Sequence, residues 1–139
     1  MSVLGLDLGT KTLGVAYTRS MIIASPLKTI RHDNDLEFLV KEVLKLVEEY
    51  RVDTIVLGMP YHLNGDVGES AKRSIAFQKL LQKEGLNVIL VDERLSTMEA
   101  EKDLIKMDVS RKKRKEVIDS LAATVILEEY IKKEKGNGR

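Results

Sequence analysis

Cysteine and tryptophan are both absent from the 139-residue sequence. The first absence excludes a disulfide framework and any thiolate metal site. The second, with aromatics at only 4%, argues against stacked aromatic platforms as the means of holding bases. Histidine occurs twice, and His32 and His62 stand alone, reading as polar loop groups rather than catalysts. Neither sign of charge dominates: 23 Lys and Arg against 22 Asp and Glu leave +1. No global field therefore draws the chain to nucleic acid, and such binding must rest on local patches. No apolar run approaches the roughly 18 residues of a membrane span. The first strand starts too close to Met1 to leave room for a signal peptide. A soluble, cytoplasmic protein is expected. There is no internal repeat, P-loop, helix-turn-helix pattern or Ser/His/Asp set.

What is present is an ordinary core-forming composition, 43% hydrophobic and 32% charged. It predicts one domain over 1–135, with Gly136-Asn137-Gly138-Arg139 as a disordered tail. The stretch Val3 to Ala16 reads as two strands joined by a turn at Gly9-Thr10-Lys11. Met21 to Ile30 suggests a third strand, at an edge because Pro26 cannot donate to a ladder. Asp33-Asn34-Asp35 can cap a helix whose Leu36, Leu39, Val40, Val43, Leu44 and Val47 share a face. Thr54 to Gly58 and Asn87 to Val91 are short apolar runs of the kind found in buried parallel strands. Between them, a polar loop over Tyr61 to Asp66 leads to a helix from about Val67 to Glu84, stopped by Gly85. Ser96-Thr97-Met98-Glu99 is a capping box opening a helix to about Met107, and Ser110 can cap a last helix to about Lys133. This order predicts an α/β fold: a mixed five-stranded sheet, three antiparallel strands then parallel ones, with helices on both faces.

Three acids occupy positions poor for stability. Asp7 lies in mid-strand, where an unpaired charge costs several kcal/mol or more. It can cap the turn or pair with Lys11, or it can bind a ligand, with Gly5, Gly9 and Gly14 leaving room for a ligand or another backbone. Glu93 follows the apolar run Val88 to Val91, at the carboxyl end of a strand, where open α/β sheets place their ligand sites. Asp119 is in helical register with Ala122, Ala123, Ile126 and Tyr130, on a packing face. Small Ala122 and Ala123 let that helix approach the sheet, and a path across its centre would bring Asp119 near Asp7. Converging carboxylates repel unless divalent cations lie among them, and oxygen-only ligands suit Mg²⁺ or Mn²⁺. Alternatively, Glu93 pairs with Arg94 and Asp119 with a nearby Lys. Asp92 is ambiguous, a supporting group or a strand-end cap.

The Asp-x-Gly hairpin alone resembles both ribonuclease H-like nucleases and actin-like ATPases. Four blocks together resemble the YqgF (RuvX) family, related to the RuvC Holliday-junction resolvases within the ribonuclease H-like superfamily. They are Gly5-Leu6-Asp7-Leu8-Gly9-Thr10-Lys11 with Gly14-Val15-Ala16; Val56-Leu57-Gly58-Met59-Pro60; Val91-Asp92-Glu93-Arg94-Leu95-Ser96-Thr97; and Asp119-Ser120-Leu121-Ala122-Ala123 with Ile126-Leu127 and Tyr130. The resemblance implies Asp7, Glu93 and Asp119 as catalytic ligands of two Mg²⁺ or Mn²⁺ ions. It implies a nuclease maturing the 5′ end of the 16S ribosomal RNA precursor, with branched DNA as the older substrate assignment. Thr12 replaces a frequent Arg of the family, and Asn64-Gly65 a frequent Asp-Gly, so neither Thr12 nor Asn64 is assigned a contact. A silent RNA-binding module is the alternative that keeps the fold. An actin-like ATPase would need a second, similar domain. A homodimer is compatible with the sequence.

Arg111-Lys112-Lys113-Arg114-Lys115 is the densest charge run. It is either a solvated helix end or a phosphate clamp, which Lys11 and Arg94 in particular could join, as could Lys72 and Arg73. Replacing the run with Ser is expected to weaken RNA binding and flatten its salt dependence; an unchanged slope of log affinity against log salt would refute the clamp.

Overall fold

The computed structural model describes residues 2–59, 68–92 and 111–137, and the side chains of all of these except 111–119 and 136–137. The expected loop Tyr61 to Asp66 and the capping-box helix Ser96 to Met107 lie outside the described residues, as does Ser110. At the centre stands β1 (Val3–Leu8), paired antiparallel with β2 (Thr12–Thr18) and parallel with β4 (Thr54–Met59). Outward from these lie β3 (Ser25–Arg31), antiparallel to β2, and β5 (Val88–Asp92), parallel to β4. The five-stranded order β3-β2-β1-β4-β5 is the mixed sheet expected.

The two faces of β1 have different partners because its side chains alternate. Leu4, Leu6 and Leu8 join Leu13, Val15, Ile55 and Leu57 in a core closed by α1 (Leu36–Tyr50) and α2 (Glu69–Lys83). Helix α1 contributes Leu39, Val40, Val43 and Leu46, while Leu36, Leu44 and Val47 are only half-buried. Asp35 caps it, accepting from Phe38 N–H at 3.1 Å, and Arg51 closes it in a left-handed conformation. Gly85, at φ 87°, follows α2 as the expected stop.

Edge strand β3 runs Ser25–Arg31 rather than from Met21. Its ladder shifts between Val15↔Lys28 and Ala16↔Pro26, so Leu27 is an extra residue beside the proline. A bulge next to Pro26 bends an edge that lacks one donor, which discourages pairing with another chain.

Helix α3 (Arg111–Asn137) covers the other face. Ala123, Ile126, Leu127, Tyr130 and Ile131 pack there on Val3, Ala16, Val56 and Val91. It continues past Lys133 into the expected tail, through Gly136 to Asn137; Gly138 and Arg139 lie outside the described residues. The close approach falls at Gly5, where a Cβ would stand 2.8 Å from the Ala123 carbonyl oxygen and 3.0 Å from Leu127 Cβ. The room at Gly5 is thus taken by another backbone. Further along, Tyr130 is buried, which raises its hydroxyl pKa, with the charges of Glu134 and Asp53 adding to the rise. Asp53 accepts from Ser2 N–H at 3.0 Å, at the beginning of β1. The helix therefore runs against β1, its later turns above the strand's start.

Gly5→Ala forces a methyl group against a helix carbonyl that cannot rotate away. We expect a loss of about 1–3 kcal/mol, as for an overpacked core, read as a lower midpoint in urea or thermal unfolding. An unchanged midpoint would mean that α3 does not touch β1 here.

Candidate functional site

Asp7 is half-buried on β1, on the face covered by α3, since it alternates with Val3 and Gly5. Its partner on β2 is Gly14. On the other side, extending the pairing Leu6↔Leu57 by one residue places Gly58 beside it. No side chain stands next to Asp7 on that face of either neighbouring strand. A carboxylate supplies hard oxygen donors, which suit a divalent cation. Asp7 also has a polar or charged interaction of its own.

Of the other expected ligands, Asp119 lies in α3 one helical turn before Ala123, with its side chain outside the described residues. Glu93 and Arg94 lie outside them altogether. Among the described residues no group of three His, Asp or Glu is gathered tightly enough to hold a metal, and of the three proposed acids only the Asp7 side chain is described. Asp92 is exposed and pairs with Met59, next in the ladder to Gly58↔Val91. Val91 belongs to the α3 face, so alternation turns Asp92 to the opposite face from Asp7.

Arg111 to Lys115 form the start of α3, with their side chains outside the described residues. The first turn holds no acid. Cations at a helix N-terminus oppose the macrodipole, so the run is not there to stabilise the helix. Lys11 is exposed in the β1–β2 turn and makes no ion pair among the described residues, so it does not neutralise Asp7.

The turn after Asp7 is more elaborately held than the sequence suggested. Gly9 N–H donates to Thr12 O at 2.8 Å, and His32 N–H to Lys11 O at 2.9 Å. His32, expected to be a loop group, is buried with its ring against the turn. Its Nδ1 accepts from Asn34 N–H at 2.9 Å, so the ring proton sits on Nε2, which donates to Gly9 O at 3.1 Å. From α2, Arg73 Nη2 donates to the same Gly9 O at 3.1 Å and to Asn34 Oδ1 at 2.6 Å. Sequence periodicity could not find this cluster. Only the ladder pairing Thr12↔Arg31 brings residue 32 to the hairpin.

Over residues 1–133 the chain matches the sequence profile of RuvX, described as Holliday junction resolvase. A protein of Geobacillus sp. (strain WCH70), named as a pre-16S rRNA nuclease, is 54% identical over 134 residues, 94% of this chain and 97% of the relative. The solved structure of T. thermophilus RuvC with a Holliday junction substrate aligns with a TM-score of 0.61 at 14% identity, covering 98% of this chain and 96% of that one. A ROK family protein of Streptococcus pneumoniae, in complex with sucrose, aligns with a TM-score of 0.52 at 16% identity. That alignment covers 73% of this chain and only 37% of the ROK protein.

Proposed function

Because the chain belongs to the RuvX family, we propose that it is a divalent-metal-dependent nuclease maturing the 5′ end of the 16S ribosomal RNA precursor. The observation that carries this reading is the register of α3 on β1. Ala123 lies on Gly5 and the helix runs against the strand. One helical turn back is about 5.4 Å, and two strand residues on is about 6.6 Å. These steps support a reading in which the turn with Asp119 comes over Asp7, whose neighbour on β2 is Gly14.

Asp7, Glu93 and Asp119 would hold Mg²⁺ or Mn²⁺, with Asp7 central. The preference for Glu93 over Asp92 follows from the face to which Asp92 turns. A pair of such ions supplies the positive charge that activates water and stabilises the leaving oxygen of a phosphodiester. The chain's own part is to fix three hard oxygen donors on rigid elements and to bring phosphate to them. Lys11, Arg94 and the run Arg111-Lys112-Lys113-Arg114-Lys115 bind that phosphate backbone, which positions the strand without reading its sequence.

Ribosomal RNA is preferred over branched DNA because the relative at 54% identity is named for the former. RuvC, at 14% identity, speaks for the fold alone. The junction reading remains the second one to test. An actin-like ATPase is disfavoured, since the RuvX profile accounts for residues 1–133 as a whole.

Purified protein incubated with precursor 16S RNA, and separately with a four-way DNA junction, is expected to cut the RNA in Mn²⁺ or Mg²⁺ and not in chelator. Asp7→Asn should lower cleavage at least about a hundredfold. It should also remove the rise in melting point that a metal bound to the native state must produce. Junction cleavage alone would select the second reading; equal cleavage by Asp7→Asn would refute both. In the same assay Asp92→Asn should cut within about threefold of wild type, as a surface change outside the site, whereas Glu93→Gln should match Asp7→Asn.

A further inference from the structure

Two cationic or polar side chains from separate elements spend their donors on one backbone carbonyl. His32 Nε2, just beyond β3, and Arg73 Nη2, from α2, both donate to Gly9 O, two residues after Asp7. A carbonyl oxygen has two lone pairs, so this acceptor is filled. Asn34 completes the cluster, orienting His32 through its N–H and Arg73 through its Oδ1 while holding a left-handed φ of 63°. A hairpin turn does not need this. Gly9 N–H to Thr12 O already closes it, as two-strand turns elsewhere are closed.

The cluster is also costly. His32 is only 6% exposed, and Arg73 is half-buried with no ion pair among the described residues. Ordering a long side chain onto neutral acceptors loses entropy that a surface arginine keeps. What the arrangement accomplishes is mechanical. It ties the end of β1 to α2 and to the β3–α1 connection, so that the strand end bearing Asp7 cannot twist or fray independently of the opposite layer. Gly9 has little slack of its own, since a Cβ there would meet Thr12 O at 3.1 Å.

We propose that His32 and Arg73 are positioning residues that fix the Gly9 carbonyl and, through it, the direction in which Asp7 presents its carboxylate. Both act through protein acceptors, so Arg73, which the sequence offered to a phosphate clamp, is read here as a support of the turn. This rests on the reading of Asp7 as a metal ligand. Outer partners that hold a metal ligand in place typically matter by about 10–100-fold in metal affinity or activity.

Two conservative substitutions separate positioning from bulk stability. The amide of His32→Gln can reach the Nε2 position and donate to Gly9 O. The shorter His32→Asn retains an acceptor near Nδ1 for Asn34 N–H but cannot reach Gly9. In full-length protein, His32→Asn should raise the Mn²⁺ concentration at half-maximal cleavage, or lower kcat, by about tenfold or more, with KM for RNA little changed. His32→Gln should restore most of either loss. Arg73→Leu should behave as His32→Asn does, which keeps the test open if one variant folds poorly. As a readout independent of cleavage, hydrogen exchange at the Gly9 amide should quicken about fivefold in His32→Asn and not in His32→Gln.

Wild-type kcat and Mn²⁺ response in both His32→Asn and Arg73→Leu would overturn the proposal, as would equal losses in the Gln and Asn variants. Absence of Mn²⁺ binding by the wild type would instead refute the nuclease reading. The exchange measurement would then still judge the tie to Gly9, and an unaltered Gly9 amide in His32→Asn would overturn that too.

Discussion

The contact on which the rest depends is between two backbones, that of β1 at Gly5 and that of α3 at Ala123. Removing one Cβ lets a helix carbonyl settle on a strand. Everything on that face takes its place from this seat: Ile126, Leu127 and Tyr130 over Val3, Ala16 and Val56 on one side, and the turn carrying Asp119 on the other. A bulkier residue at 5 would lift the helix and change the distance between Asp7 and the turn that carries Asp119. Local packing and candidate chemistry are therefore one constraint.

The sheet divides its work between faces. On one, Leu4, Leu6 and Leu8 meet α1 and α2 in a continuous apolar core. On the other, Gly5 lies between Ala16 and Val56 and Asp7 beside Gly14, so the strand is lowest at Gly5, where the helix backbone comes close. Both faces supply cohesive energy, each fully buried Leu or Ile being worth about 1.5–3 kcal/mol. Asp7 lies beyond the apolar cluster of the second face, at a position that serves no packing purpose.

Much of this was legible in the residues. Alternation in β1 assigned Asp7 to a buried strand, Pro26 marked an edge, and the apolar runs from Thr54 and Asn87 identified parallel strands, because each signal is local. The bulge at Leu27 was not legible, since it depends on how β3 meets β2. Nor was His32, an unremarkable polar residue whose role follows from a ladder that brings it to Lys11. The end of α3 was set too early because Gly136 signals a stop, whereas the helix carries on through it. For the site, the sequence proposed Asp7, Glu93 and Asp119 together. The structure describes the surroundings of Asp7 and the backbone of Asp119, and the face of Asp92 came from register alone, which no single strand contains.

The strand bearing Asp7 is near the start of the sequence, and the helix that seats on it is in the final third. During synthesis at about 5–20 residues per second, β1, β2 and β3 emerge seconds before the helix that must cover them. Their Leu-rich side can begin to collapse once α1 and α2 are made, while Val3, Ala16 and Val56 stay bare. The face with the acids is thus the last to close, and a protein whose relatives are named for acting on ribosomal RNA completes that face only as the later part of its own chain leaves the ribosome.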